Sequence, residues 1–305
     1  MYRWSKLLIA ATGALFQLFA QQHVNSFSTV GFRADANLVL IPVTVVDRRG
    51  AMVNGLRPEV FQIFEDKATQ QIFSFAEQDV PASIGVILDM SGSMRATVDQ
   101  AKVAVRSFLD TANPEDEAFL YSVSSQPKRS FGFTDNLETL SSGIAITKAR
   151  GSTALIDTIY CGLNEMRSAH RPRKALLIIS DGMDNHSRYT KTELLERVLE
   201  SDIQIFSIAI DNSPAYGKPI QVEEQHQGLR LLEDLAQTSG GLSFTVRNSE
   251  DIDRSAATIS RAIRNEYMIG YVPRDASRDG KWHSIRVKLA LRGFKVYARS
   301  GYYSQ

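Results

Sequence analysis

The sequence predicts an α/β fold: a doubly wound, mostly parallel sheet with helices on both faces, accompanied by a small flanking β subdomain. Three observations carry this. From Pro81 to Arg264, short apolar runs alternate with segments of helical period. Two of those runs, Ile84–Leu88 and Ala175–Ser180, have no polar face, which is the pattern of strands buried on both sides in a parallel sheet. On either side of this stretch the period changes to two, with turn residues between the runs.

A chain of 305 residues has room for one sizeable domain and a smaller one. Its 43% hydrophobic and 23% charged residues are those of an ordinary globular protein rather than a disordered or fibrous one. The formal charge is +1, and it falls to −1 if the two charges of Arg3 and Lys6 are subtracted. Neither value supports a nucleic acid or other polyanion as partner. Recognition through a specific site fits this balance better.

Residues 1–20 read as an export signal. Arg3 and Lys6 form a positive start, Leu7–Phe19 an apolar core, and Ala20 a small residue before a cleavage point. The core is short for a bilayer span, so no stable membrane insertion is expected once the signal is cleaved. An uncleaved N-terminal anchor is the alternative. The expected location is exported, periplasmic or extracellular. Cys161 is the single cysteine, so no intramolecular disulfide forms, and its apolar helical neighbours make it a packing residue.

Residues 21–36 are polar and aperiodic, a flexible lead. Residues 37–78 form an N-terminal β segment. Its first strand has apolar residues at Leu38, Leu40 and Val46 on one face and at Val39, Ile41, Val43 and Val45 on the other, predicting cover on both sides. Pro58 starts a helical turn, and strands follow at Phe61–Glu65 and Gln71–Ala76, joined through Asp66 and Lys67. The α/β domain spans 81–265. Its strands are expected at Ile84–Leu88, Ala118–Val123, around Phe131 and Phe133, at Ala175–Ser180, Ile203–Ile210 and Leu242–Val246. Its helices are expected at Ala96–Thr111, Asn136–Ile146, Thr153–Met166, Leu194–Glu200, Gln227–Thr238 and Glu250–Arg264. Thr190 with Glu193 forms a capping box, Thr134 and Asp135 cap the helix after them, and Ser249 caps the last one. Residues 266–305 return to strands at Tyr267–Val272, Trp282–Leu291 and Phe294–Arg299, with a turn at Asp275–Gly280. This C-terminal β segment is expected to pack with 37–78, its Trp282, Tyr297, Tyr302 and Tyr303 serving as core and strand residues.

In a doubly wound sheet, ligands bind outside the carboxyl ends of the strands. One such end carries Asp89, Ser91 and Ser93 in D-M-S-G-S, a second carries Asp181 in I-S-D-G, and R-G-S-T-A-L brings Thr153 to a helix start. Each loop taken alone reads equally as a capping turn. Taken together they offer carboxylates and hydroxyls only, a donor set for Mg²⁺, Mn²⁺ or Ca²⁺ rather than for zinc or copper.

D-x-S-x-S at 89–93, Thr153 in G-S-T-A-L and Asp181 in I-S-D-G together resemble the metal-ion-dependent adhesion site (MIDAS) of von Willebrand factor type A (VWFA) domains, a Rossmann-like fold, over about 83–265. The resemblance implies a metal held by Asp89, Ser91, Ser93, Thr153 and Asp181, with magnesium the leading ion. It also implies a protein partner whose carboxylate completes the coordination. The flanks V-x-V-x-D-R-R-G-x-x-V-x-G-L-R-P-E and D-G-K-W-H-S-I-R-V-K resemble the bacterial VWFA-related Acidobacterial domain family. No catalytic residues are expected. The favoured function is therefore metal-dependent adhesion by a secreted binding module. A structural or assembly protein with a stabilising metal is one alternative. A metal-assisted hydrolase with His186 as general base is the other. Asp184 and Asn185 either support the site or form a solvated turn. His23, His170, His226 and His283 are scattered and form no metal-spaced pair.

Overall fold

Apolar runs without a polar face need cover on both sides, and the central sheet has it. The structure, a computed structural model, describes residues 38–145, 149–211, 219–274 and 280–304. The export signal, the lead at 21–36, Ile146 and most of the 275–280 turn lie outside the described residues. Among the described residues no helix is long and apolar enough to cross a membrane.

The chain begins with strands β1 (Val39–Asp47), β2 (Phe61–Glu65), β3 (Ala68–Gln70), β4 (Ile72–Asp79) and β5 (Ala82–Asp89). Then come α1 (Val98–Leu109), β6 (Glu117–Val123), β7 (Lys128–Thr134), α2 (Leu137–Ala145), α3 (Leu155–Glu165) and β8 (Arg173–Ser180). The α/β part closes with α4 (Lys191–Leu199), β9 (Gln204–Ile210), α5 (Pro219–Ser239), β10 (Ser243–Val246) and α6 (Ser249–Arg264). Strands β11 (Asn265–Tyr271), β12 (Trp282–Leu289), β13 (Phe294–Ala298) and β14 (Gly301–Tyr303) end it.

Six strands form the central sheet in the order β10-β9-β8-β5-β6-β7, parallel except for the edge pair β6 and β7. Every residue of β5 and β9 is buried. Side chains alternate between two cores, as a period of two requires. Val86, Leu88, Leu177, Ile179, Phe206 and Ile208 meet α1, α2 and α6 on one face. Ile87, Leu176, Ile178 and Ile205 meet α3, α4 and α5 on the other. Burying each such side chain contributes about 1.5–3 kcal/mol, which supports the fold without disulfides. Cys161 is half-buried, and burial pushes its thiol pKa up.

The two flanking β segments interleave. β1 pairs with β11 and β13, and β11 with β4, in one four-stranded sheet, while β14-β12-β2-β3 forms another. Ile41, Val43, Val45, Ile63, Tyr267, Ile269 and Tyr271 form a third core there. The Tyr267 hydroxyl donates to Val53 O and accepts from Leu56 N, tying the segment between β1 and β2 to β11. Arg173 fastens the start of β8 to the end of α6, donating to the carbonyls of Ile263 and Arg264 beside the fully buried Glu266.

Several local expectations change. β1 is not covered on both sides along its length: Leu38 and Leu40 are 42% and 47% exposed, and only Thr44 and Val46 of that face are buried. Hydrophobicity marks what can be buried, but the layer beyond decides what is. The strand after Asp66-Lys67 splits: β3 hairpins onto β2, while β4 moves to the other sheet. Helix α5 starts eight residues earlier than Gln227, and α6 is capped by Asn248, which accepts from Asp251 N, not by Ser249. Asn136 likewise caps α2, accepting from Thr139 N, while Thr134 accepts from Asn136 N.

Candidate metal site

Asp89 ends β5 and Ser180 ends β8, parallel neighbours whose carboxyl ends lie on one edge of the sheet. Both strands are fully buried at that end, so each loop leaves directly from the core. Asp89 and Asp181 are each 0% exposed, Ser91 0% and Thr153 1%, and Ser93 is half-buried.

Backbone hydrogen bonds lace the loops together. Gly92 N donates to Gly151 O at 2.9 Å, and Arg150 N donates to Met90 O at 2.9 Å, joining the first loop to the second. Asn185 N and His186 N both donate to Thr153 O at 3.0 Å, and Thr153 N donates to Asn185 Oδ1 at 2.9 Å, joining the second to the third. The five predicted residues thus sit in three loops held to one another.

Within the site, Ser91 N donates to Asp89 Oδ1 at 2.9 Å, and the Ser91 and Ser93 hydroxyls lie 3.0 Å apart. Met183 N donates to Asp181 Oδ1 at 3.1 Å. Ser180 also belongs here, although the sequence reading passed over it. Its hydroxyl donates to Asp89 Oδ2 at 2.6 Å and accepts from Gly182 N at 2.8 Å, so it orients the carboxylate from the neighbouring strand. A polar residue closing the otherwise apolar run before Asp181 was its only sequence signal.

Asp184 serves a helix. Its Oδ1 accepts from Leu155 N at 2.8 Å and from the Ser187 hydroxyl at 2.6 Å, capping α3, whose own N-cap residue Ala154 has no side-chain oxygen. Asn185 grips Thr153 from both sides, whereas the His186 side chain is exposed and only its backbone reaches the site. Replacing Asp184 with Ala should therefore cost about 1–2 kcal/mol, as for other lost caps. It should also weaken cation binding by shifting Thr153. Chemical denaturation and a metal titration on one preparation check both effects.

Burial pushes the Asp89 pKa up to about 6, and the nearby Asp181 carboxylate pushes the same way, against the Ser180 and Ser91 hydrogen bonds. Two carboxylates are thus held together in the core at a sheet edge, an arrangement that repels itself.

Residues 84–183 match the von Willebrand factor type A domain. The matched span runs from β5 through β8 and includes Asp89, Ser91, Ser93, Thr153 and Asp181. The chain is also similar to several solved structures. An aerotolerance-related membrane protein from Bacteroides fragilis is 15% identical, with 60% of this chain and 98% of that chain covered and a TM-score of 0.47. The vWF domain of the type V pili tip protein Mfa5 from Porphyromonas gingivalis is 13% identical, with 61% and 97% covered and a TM-score of 0.47. The PilB minor pilin from Streptococcus sanguinis is 13% identical, with 65% and 63% covered and a TM-score of 0.46. No curated protein matches the chain. At such scores these likenesses leave the role of this sheet edge to be argued from its own residues.

The donor set can be tested against a cation. Adjacent ligands on an octahedral ion with bonds of 2.0–2.1 Å lie about 2.9 Å apart. The Ser91 and Ser93 hydroxyls, 3.0 Å apart, match that spacing. Two carboxylates balance the charge of a divalent ion, and neutral hydroxyls leave it able to accept one more anionic ligand.

Proposed function

We propose that this chain is an exported binding module that grips an acidic group of a protein partner through a divalent cation. Asp89, Ser91, Ser93, Thr153 and Asp181 would hold the ion, Mg²⁺ first and Mn²⁺ or Ca²⁺ as alternatives. The observation that carries this is the pair of wholly buried carboxylates, Asp89 and Asp181, on one sheet edge among laced hydroxyl-bearing loops. Burying two like charges side by side is costly unless a counter-charge joins them. The cation would supply that charge and an electrophilic position for a partner carboxylate. Ser180 would orient Asp89, and Asn185 would hold Thr153. Export rests on the pattern of residues 1–20 and adhesion on the resemblance to MIDAS sites, with the flanks resembling the Acidobacterial group. We read the role as binding rather than catalysis, because the His186 imidazole lies exposed while the carboxylates it would serve are buried.

The test is capture of a partner by the immobilised full chain. Binding should vanish in chelator and with Asp181→Ala, and return when Mg²⁺ is restored to the wild type. A complex that survives both treatments would assign the metal a structural role instead.

The pH dependence follows from Asp89. Its folded, metal-free pKa lies near 6, against an ordinary carboxyl value of 3.8. Between those values the unfolded chain has released this proton while the folded chain keeps it. The group's contribution to metal-free stability therefore falls as pH rises from about 4 to 6, by about 3 kcal/mol in total. A cation needs the carboxylate ionised. The stabilisation produced by Mg²⁺ should be small at pH 4.5 and should grow to a plateau near pH 7, as read by thermal melts with and without the ion.

A further inference from the structure

Strand register brings three polar side chains together at the rim of the β subdomain. Ile285 of β12 stands opposite Glu65 of β2, and His283 stands opposite Tyr302 of β14. Side chains alternate along a strand, so His283, two residues from Ile285, shares the face of Glu65. The tight β2–β3 turn then brings Asp66 alongside. One ligand atom from each of Glu65, Asp66 and His283 lies within 4.8 Å of the others, the single such group of three His, Cys, Asp or Glu side chains among the described residues. His283 Nδ1 is 2.8 Å from Asp66 Oδ2 and 3.4 Å from Glu65 Oε1.

A hydrogen-bonded fastening accounts for part of this cluster. Asp66 Oδ1 accepts from Ser284 N and from the Ser284 hydroxyl, and Oδ2 meets the imidazole, so the turn is tied to β12. It does not account for Glu65. That side chain is 6% exposed, its Oε1 accepts from the Tyr302 hydroxyl at 3.1 Å, and the buried Tyr271 hydroxyl lies against the same carboxylate. Burial and the Glu65 carboxylate push the phenol pKa values of Tyr271 and Tyr302 up, so both neighbours stay neutral. Two neutral phenols and an imidazole 3.4 Å away surround this buried carboxylate, and a bound cation would offset the cost of burying its charge.

We propose that Glu65, Asp66 and His283 form a second cation site, for a borderline divalent ion of the Zn²⁺ class. An imidazole nitrogen with two carboxylates suits such an ion, whereas the all-oxygen loops around Asp89 suit a hard one. Ligands on a tetrahedral ion with bonds of 2.0–2.1 Å lie about 3.3 Å apart. The 3.4 Å between His283 Nδ1 and Glu65 Oε1 matches this. The 2.8 Å contact between His283 and Asp66 opens by about 0.5 Å as the ion replaces the proton they share. Asp66 can make that movement because its side chain is 51% exposed at a turn, and the same exposure leaves a fourth position for water or an external ligand. Tyr302 positions the other two, hydrogen-bonded to Glu65 and stacked on the His283 ring at 5.5 Å.

The experiment is a titration of the chelator-treated full chain with ZnCl₂, and with CoCl₂ as a spectroscopic probe. One Zn²⁺ per chain is expected in the wild type and also in Asp89→Asn, which removes a carboxylate from the other site. Co²⁺ should give visible bands of a four-coordinate nitrogen–oxygen site. Loss of an outer supporting residue costs roughly 10–100-fold in metal affinity, so His283→Asn and Glu65→Gln, which remove ligands, should lose about 100-fold or more. If Glu65→Gln does not fold, Asp66→Asn at the half-exposed turn should give the same loss. Absence of Zn²⁺ binding by the wild type would overturn the proposal. So would binding left unchanged by both His283→Asn and Asp66→Asn, which would make the cluster a hydrogen-bonded fastening alone.

Discussion

In chelator at pH 7, Asp89→Asn should be at least as stable as the wild type, and in excess Mg²⁺ it should be clearly less stable. The first half follows from repulsion. Asp89 is wholly buried, and both burial and Asp181 disfavour its charge. The amide removes that charge while keeping an oxygen for the Ser91 N–H. The second half follows from mass action. A ligand that binds only the folded state at one hundred times its dissociation constant stabilises by about 2.7 kcal/mol, which raises the melting temperature of a chain this size by roughly 4–5 °C. The variant should show no such rise, and Asp181→Ala should lose it as well. A sign change between the two conditions separates a cation site from a damaged core, since a core defect destabilises in both. If Mg²⁺, Mn²⁺ and Ca²⁺ all leave the wild-type melting temperature unchanged, the cation reading fails.

Gly182→Ala should be among the most damaging single changes outside the apolar cores, at roughly 2–5 kcal/mol. Gly182 follows Asp181 at φ +79°, a conformation that costs an L-residue about 1–2 kcal/mol. A Cβ there would also lie 2.1 Å from the carbonyl oxygen of Gly228 in α5, and backbone cannot rotate aside. From the opposite side, a Cβ on Gly228 would lie 2.7 Å from the Gly182 carbonyl carbon. Loop and helix therefore touch backbone to backbone, and Gln225 Nε2 donates to Asp181 O beside this contact. Gly55→Ala is the matched control, since Gly55 has φ +74° with nothing within 4 Å of a Cβ. Urea denaturation of the two variants separates conformational cost from contact cost. Equal losses would show that α5 does not press on the Asp181 loop. A larger loss at Gly182, with weaker Mg²⁺ binding, would show that the helix sets the carboxylate's position.

Much of the architecture was legible because burial on two faces leaves a distinctive mark. The run V-I-L-D at 86–89 cannot sit anywhere but the middle of a covered sheet, and the acidic residue closing it falls where the chain leaves the core. The capping box at Thr190 and Glu193 was equally plain, because both halves of that contact are local in sequence. Contacts between distant segments left weaker marks. Asp184 caps a helix that begins before it in the chain, so its spacing resembles no local cap. Ser180 reads as an ordinary strand end until β5 is placed beside β8 and its hydroxyl meets Asp89. The exposed Leu38 and Leu40 show the converse, since hydrophobicity alone does not say whether a second layer exists.

By itself the sequence determined the alternation of strands and helices, the sheet edge on which Asp89 and Asp181 fall, and the donor chemistry available there. Periodicity and residue type are local properties, and they suffice for that much. The tertiary structure alone decided the lacing of the Asp89, Thr153 and Asp181 loops. It also decided the interleaving of the two flanking β segments into shared sheets and the meeting of His283 with Glu65 and Asp66. Each of these depends on strand pairing between residues far apart in the chain, where a shift of one position turns every side chain to the opposite face.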